Sequence, residues 1–244
     1  LLQRREWCMT NIGLPGFWTH AALYEGTADE RVKYFHDSPR KKVWVKSMGN
    51  QYDSFEELLA LKFSKTYLHS IKSDKEHHYY RVIEAIGEGV VFTTLEHSAD
   101  ADSMVVLRPA VSKETTAMAI FRAFNFSGRP YDFNFDFLTD SALVCSELVY
   151  KAYLPAGQDE GLYLPLSDML GRKVLSPNNI ARMFDEEYDL SPQLDFVLFF
   201  DGNEKEEKAV REDVSVFRKS WERPKWHIVI KDTVLDASRV EKDE

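Results

Sequence analysis

Gly128–Tyr153 reads GRPYDFNFDFLTDSALVCSELVYKAY, and its last nine residues carry a helical period. From Cys145, apolar residues recur at Leu148, Val149, Ala152 and Tyr153, with Ser146, Glu147 and Lys151 on the other side. This predicts an amphipathic helix that begins at the cysteine and turns Glu147 to solvent. A thiol at a helix N-terminus feels the positive end of the helix dipole, which favours the nucleophilic thiolate. The competing reading is a small core residue, since cysteine is among the most buried residue types. On spacing alone that reading is the commoner one.

Composition bounds the rest. A chain of 244 residues holds one large domain or two small ones. Hydrophobic residues at 44% and aromatics at 13% supply a sizeable core. With 31 basic against 40 acidic residues the formal charge is −9, and the basic residues are dispersed, which argues against a nucleic-acid partner. The two cysteines, Cys8 and Cys145, make neither a disulfide framework nor a CxxC zinc pair. No run of about 18 apolar residues suggests a transmembrane segment. The chain opens LLQRREWC without Met, as a trimmed or processed chain would, so a removed signal peptide stays open.

Along the chain, Phe17–Glu25 (FWTHAALYE) reads as one strand and Val43–Val45 as a short one. Ser54–His69 reads as a helix, with Ser54 and Glu57 fitting a capping box. Tyr79–Ala85 and Gly89–Leu95 read as a hairpin across Ile86–Gly89, and Ser103–Arg108 as a strand ended by Pro109. Lys113–Phe126 is expected to be helical, with Ala117, Ile120, Phe121 and Phe124 inward. Leu162–Leu175 reads as a loop, and Ser176-Pro177 as the start of a helix over Asn178–Tyr188. Leu194–Phe200 and Trp226–Lys231 are late strands, Asn203–Asp213 is a solvated charge run, and residues from about 232 to 244 are expected to fray. The expected architecture is a single α+β domain over 1–244 with an insertion at about 27–78.

A catalytic cysteine needs a base and a third group to orient that base. Of seven histidines, His36, His77 and His78 lie in polar loop sequence, His69 ends a helix and His97 follows a strand. Only His20 and His227 sit inside apolar strands, and the sequence leaves the choice between them open. Glu84, in YYRVIEA, lies among apolar neighbours where a carboxylate needs a partner: the imidazole of His20, or a basic group such as Arg81 or Arg108. Asp132, Asp136 and Glu147 have weaker claims as turn, surface and solvent-face residues.

THAALYEG, then RVIEAIGEGV, then VVLRP, then the run through YDFNFDF to VCSELVYKAY resembles the permuted NlpC/P60 cysteine hydrolases, and within them the YiiX/YebB-like group of the papain-like superfamily. The likeness spans about residues 13 to 190. It implies a circularly permuted papain-like fold, an antiparallel sheet or partial barrel packed against helices, with the histidine preceding the cysteine. It implies Cys145 as nucleophile, His20 as general base and acid, and Glu84 as the group orienting the imidazole. The excursion from about 27 to 78 departs from compact members, and would either cover the site or pack outside it.

The implied reaction is acyl transfer to water through a thioester, with the Cys145 backbone N–H as an oxyanion donor and no metal or organic cofactor. Tyr131 would either contribute its hydroxyl as a second oxyanion donor or pack against the helix and shape the substrate pocket. The resemblance allows a peptide-like amide, and equally an acyl-lipid bond as in the lecithin:retinol acyltransferase-like families, for which the aromatic segment Phe121–Phe137 would line a groove or fill the core. A non-catalytic binding module on the same fold is the remaining alternative. The resemblance is compatible with a bacterial envelope and does not choose between it and the cytoplasm.

Overall fold

The computed structural model describes residues 1–5, 16–133, 141–155, 160–169, 171–203, 207–224, 228–230 and 233–235. Cys8, Phe135, Asp136, Phe137, His227 and residues 236–244 lie outside them. In chain order the strands and helices are β1 (Leu2–Arg4), β2 (His20–Ala21), β3 (Leu23–Tyr24), α1 (Ala28–Phe35), α2 (Pro39–Ser47), α3 (Phe55–Lys62) and α4 (Ser64–Ser70). Then come β4 (Tyr80–Ile86), β5 (Gly89–Thr94), α5 (Leu95–Ala99), β6 (Ser103–Pro109), α6 (Lys113–Phe126) and α7 (Cys145–Tyr153). The chain continues through β7 (Ser167–Met169), β8 (Arg172–Val174), α8 (Pro177–Glu187), β9 (Leu194–Asn203), β10 (Lys208–Glu212) and α9 (Val214–Arg218). A 3₁₀ turn (Ser220–Glu222) and the pair β11 (Ile228–Ile230) and β12 (Thr233–Leu235) follow.

Among the described residues one sheet runs β10-β9-β6-β1-β2 and a second runs β3-β4-β5, with antiparallel pairing throughout. The expected strand Phe17–Glu25 is therefore divided. His20–Ala21 pairs with β1 and Leu23–Tyr24 pairs with β4, so the chain passes from one sheet to the other at Ala22. No strand was expected at the start of the chain, yet β1 is buried between β2 and β6. Its polar residues conceal it: Arg4 is 1% exposed, with Nη1 donating to the Phe17 carbonyl at 3.1 Å and the guanidinium over the Phe17 ring.

Four helices fill residues 28–70 of the insertion, and two expectations change. Val43–Val45 is helix, not strand, because Ser38 caps the N-terminus by accepting from the Lys41 amide and Pro39 takes the first helical position, outweighing a short β-branched run. The expected helix Ser54–His69 is two, broken where Phe63 leaves helical geometry at φ −128° and ψ 49°. Ser54 accepts from the Glu57 amide as expected, but the Glu57 carboxylate reaches back to the Asp53 amide instead of closing the box on Ser54. Helices α2 and α3 pack on α6 through Trp44 and Phe63 against Phe121, and α1 packs on α3 through Phe35 against Phe55.

Elsewhere the expected loop Leu162–Leu175 contains the hairpin β7–β8, and the charge run contains β10, which pairs with β9. Residues 233–235 of the expected fraying tail pair with 228–230. Among the described residues no helix is long and apolar enough to cross a membrane.

The joint between β3 and the insertion buries charge. Arg31 donates through Nε and Nη2 to both carboxylate oxygens of Glu56 at 2.8 and 2.9 Å. Its Nη1 donates to the Gly26 carbonyl and lies 3.5 Å from Glu25 Oε2. Neither Glu25 oxygen has a hydrogen-bond partner. Burial, against the attraction of Arg31 and with the repulsion of Glu56, pushes Glu25 up to about 8. The folded chain thus keeps a proton that the unfolded chain gives up near 4.5, so stability falls as pH rises from about 4.5 to about 8 and stays low above that. Glu25→Gln is expected to raise the unfolding free energy by about 1 kcal/mol or more at pH 9, since a tenfold change in proton affinity on folding is worth about 1.4 kcal/mol, and to change little at pH 4. Urea titrations at the two pH values check this; an equal gain at both would rule out titration of Glu25 as the cause.

Candidate active site

Cys145 opens α7, where the first amides have no acceptor inside the helix and face whatever lies beyond its N-terminus. The residue is fully buried. The backbone amides of Ala21, from β2, and Ser146 favour negative charge on its sulfur. One strand residue before Ala21, the His20 side chain turns toward β4, and its Nε2 lies 2.7 Å from Glu84 Oε2. With that nitrogen held by the carboxylate, Nδ1 is left for the thiol, whose charge acts on the ring. Sulfur, imidazole and carboxylate from α7, β2 and β4 thus form one row, and the neighbour of Glu84 is His20, not Arg81 or Arg108.

The charges in this row support one another. Burial disfavours an imidazolium, but the Cys145 thiolate and the Glu84 carboxylate on either side outweigh it and raise His20 to about 10. For Cys145, burial favours the neutral thiol, yet the His20 charge and hydrogen bond and the two backbone amides hold it below its ordinary value. Glu84, 1% exposed, is likewise kept below the usual carboxylate value against its burial by His20, the Thr93 hydroxyl and the Arg5 charge. A thiolate–imidazolium pair is the form that these surroundings favour.

Several polar residues around the row were not singled out from the sequence. Thr93 Oγ1 donates to Glu84 Oε1, and Ser98 Oγ lies 3.4 Å from Oε2. The hairpin register held a signal for Thr93: Glu84 faces Val91, which puts Thr93 two residues on, on the same face of the neighbouring strand. Ser98 had none, since it lies on the short helix α5.

Glu147 and Ser146 are corrections. Expected on the solvent side of α7, both are fully buried, because the start of the helix is packed on more than one side. Ser146 donates to the Leu175 carbonyl at 2.6 Å. Glu147 accepts from the Val144 amide and lies 3.1 Å from Lys151 Nζ, while burial raises it to about 7.

Tyr131 is 8% exposed, with its ring 5.0 Å from that of Phe133. Of the other histidines, His36, His69, His77 and His97 are exposed, and His78 is half-buried beside Asp74. Asp74, Glu76 and His78 are close enough to share a cation, but they lie on a surface turn whose geometry their own hydrogen bonds explain.

An apolar cleft of about 90 Å³, open to solvent, lies beside β2, β3 and α7, and Cys145, His20 and Glu84 are not among the residues that line it. Ala21 follows His20, Val149 stands one turn beyond Cys145, and both line it with Leu23, Tyr153, Leu162 and Leu164. Phe124 and Phe126 belong to the core instead, and Phe133 is 72% exposed.

A sulfur, an imidazole and a carboxylate in a row, on mixed helix and antiparallel sheet, define the papain-like class of cysteine hydrolases, here with the histidine and acid ahead of the cysteine in the chain. Residues 1–206 match the family model described as permuted papain-like amidase enzyme, YaeF/YiiX, C92 family (Peptidase_C92), and the chain belongs to that family. It is a cysteine peptidase/amidase-type hydrolase. No curated protein and no solved structure matches it.

Proposed function

We propose that the chain hydrolyses an amide bond through a thioester on Cys145, with His20 as base and acid and Glu84 as the group that orients the ring. The observation that supports this is the position of His20, bonded at Nε2 to Glu84 and coupled electrostatically to the Cys145 thiol. His20 takes the thiol proton, and the thiolate attacks the carbonyl carbon. The amide at the start of α7 then faces the oxyanion; a donor of this kind contributes on the order of 10²–10³ in rate. Collapse of the tetrahedral intermediate breaks the C–N bond as His20 hands its proton to the departing amine. Water, deprotonated by His20, then cleaves the thioester and returns the thiol. Tyr131, packed beside the α7 start, shapes the pocket in this reading.

The narrower likeness to NlpC/P60 hydrolases, with sheets curling toward a barrel, belongs to the same reading and is supported by the segment that crosses between sheets at Ala22. The reading takes residues 1–244 as one domain with the helices at about 27–78 as its insertion. A second reading, cleavage of an acyl bond carrying an aliphatic group, is favoured by the apolar lining of the neighbouring cleft.

The test is to offer a panel of fluorogenic amides and acyl esters and to map any acyl adduct by mass spectrometry. Turnover with an adduct on Cys145 is expected. Turnover with the adduct on another residue, or none on a broad panel together with an inert Cys145, would sink the proposal. The pH dependence follows from the charges of the row. Alkylation by iodoacetamide is expected to be fast well below pH 8, to hold a plateau, and to change near pH 10 as His20 loses its proton. A single rise at the ordinary thiol value would mean no ion pair.

A further inference from the structure

We infer that Thr93 and the Gln3–Ser98 pair are positioning residues that hold the Glu84 carboxylate in the one orientation that meets His20. This rests on the reading of Cys145, His20 and Glu84 as the reacting row.

A buried carboxylate can rotate about its last side-chain bond unless each oxygen has a donor. Here both do. Thr93 Oγ1, on β5, donates to Oε1. The His20 ring and the Ser98 hydroxyl, on α5, address Oε2 at 2.7 and 3.4 Å. The direction of the Ser98 hydroxyl is set from behind. Gln3 Nε2 donates to Ser98 Oγ at 2.7 Å, occupying the oxygen as an acceptor and leaving the Ser98 proton for Glu84. Gln3 is held in turn by β1, where it pairs in register with His20 itself. Gln3 and Ser98 are fully buried and Thr93 is 8% exposed, so no water-filled space replaces these donors. The carboxylate is clamped from three elements, and its aim at the imidazole follows from the sheet geometry.

Without the Thr93 hydroxyl, Oε1 is left buried with no donor, so the carboxylate turns away or takes up a proton. Either change weakens its hold on the imidazolium. The charged groups that face Glu84 are His20 from β2 and the Arg5 guanidinium beside β1, with Cys145 beyond the ring. All remain in the variants, so any displacement of the pH profile reads the hydroxyls alone.

The experiment is the rate of Cys145 alkylation by iodoacetamide against pH, on the full folded chain, for the native protein, Thr93→Val, Thr93→Ser and Ser98→Ala. For Thr93→Val the upper limb, where the imidazolium loses its proton and the thiolate stays, is expected to move down by about one pH unit, a tenfold change in the proton affinity of the ring, while the lower limb, loss of the thiol proton beside an imidazolium that is charged before and after, does not move up. Thr93→Ser is expected to restore the upper limb, and Ser98→Ala to lower it less, in keeping with its longer bond. A merely structural loss would lower the amplitude and leave both limbs in place. If the native protein has a plateau and Thr93→Val keeps both limbs, the inference is wrong. Should Thr93→Val not fold, unmoved limbs in Ser98→Ala overturn it equally. A native protein with no plateau instead overturns the row itself, a result distinct from either.

Discussion

Cys145→Ala and His20→Ala are each expected to lower kcat by on the order of 10⁴-fold or more, and the double variant to be little worse than either. The non-additivity is the informative part. Nucleophile and base act as one unit through a single proton transfer, so once one is lost the other has nothing left to contribute. Stability responds differently. Cys145 is small and fully buried, and its replacement by alanine is expected to stay within about 1 kcal/mol by urea unfolding. Glu84→Gln occupies the middle ground: the ring keeps a hydrogen-bonding neighbour but loses the charge that favours the imidazolium. An active His20→Ala enzyme would show that the base lies elsewhere, and His227→Ala is the control for an unpermuted order.

Trp18→Ala is expected to be the most destabilising single truncation near the site, at about 3–5 kcal/mol. The indole is fully buried and meets Phe17, Phe199 and Phe217 edge-on with ring centroids 5.3 to 5.9 Å apart. Its Nε1 donates to Ser220 Oγ at 2.8 Å. Truncation leaves a cavity among aromatic rings and a buried hydroxyl without its donor. Trp18→Phe keeps much of the volume and loses the hydrogen bond, so a cost of about 1–3 kcal/mol is expected. A loss below about 1 kcal/mol for Trp18→Ala would mean that the aromatic cluster collapses to fill the space. Trp18 stands two residues before His20, so its removal should also disturb the setting of the imidazole.

Most of the candidate site could be read from the chain. A cysteine at the start of a helical period, and an ionisable residue inside each of two apolar strands, signalled Cys145, His20 and Glu84, since burial leaves such groups few reasons to be there. The family likeness then chose His20 over His227. What escaped was structure that exists only through tertiary contact. Three residues of β1, two of them polar, have no period of their own and become a central strand because β2 and β6 lie on either side. Ser146 and Glu147 follow the polar half of a helical wheel, and only the crowding around the start of α7 buries them. Val43–Val45 differs for the opposite reason: Ser38-Pro39 is a local helix start, and it outweighs the preference of two β-branched residues for a strand.

The segment from Asp213 to Glu222 lies past residue 206, where the family match ends, yet it closes the aromatic cluster around Trp18. Phe217 is fully buried there, Arg218 donates to Asp185 at 2.6 Å, and Trp221 Nε1 donates to the same carboxylate at 3.1 Å. A shortened version cut at the family limit would therefore leave Trp18 and Phe199 facing water and strip α8 of its ionic cover. Such a fragment should be sticky and poorly soluble, and an expression boundary for this hydrolase belongs after residue 224.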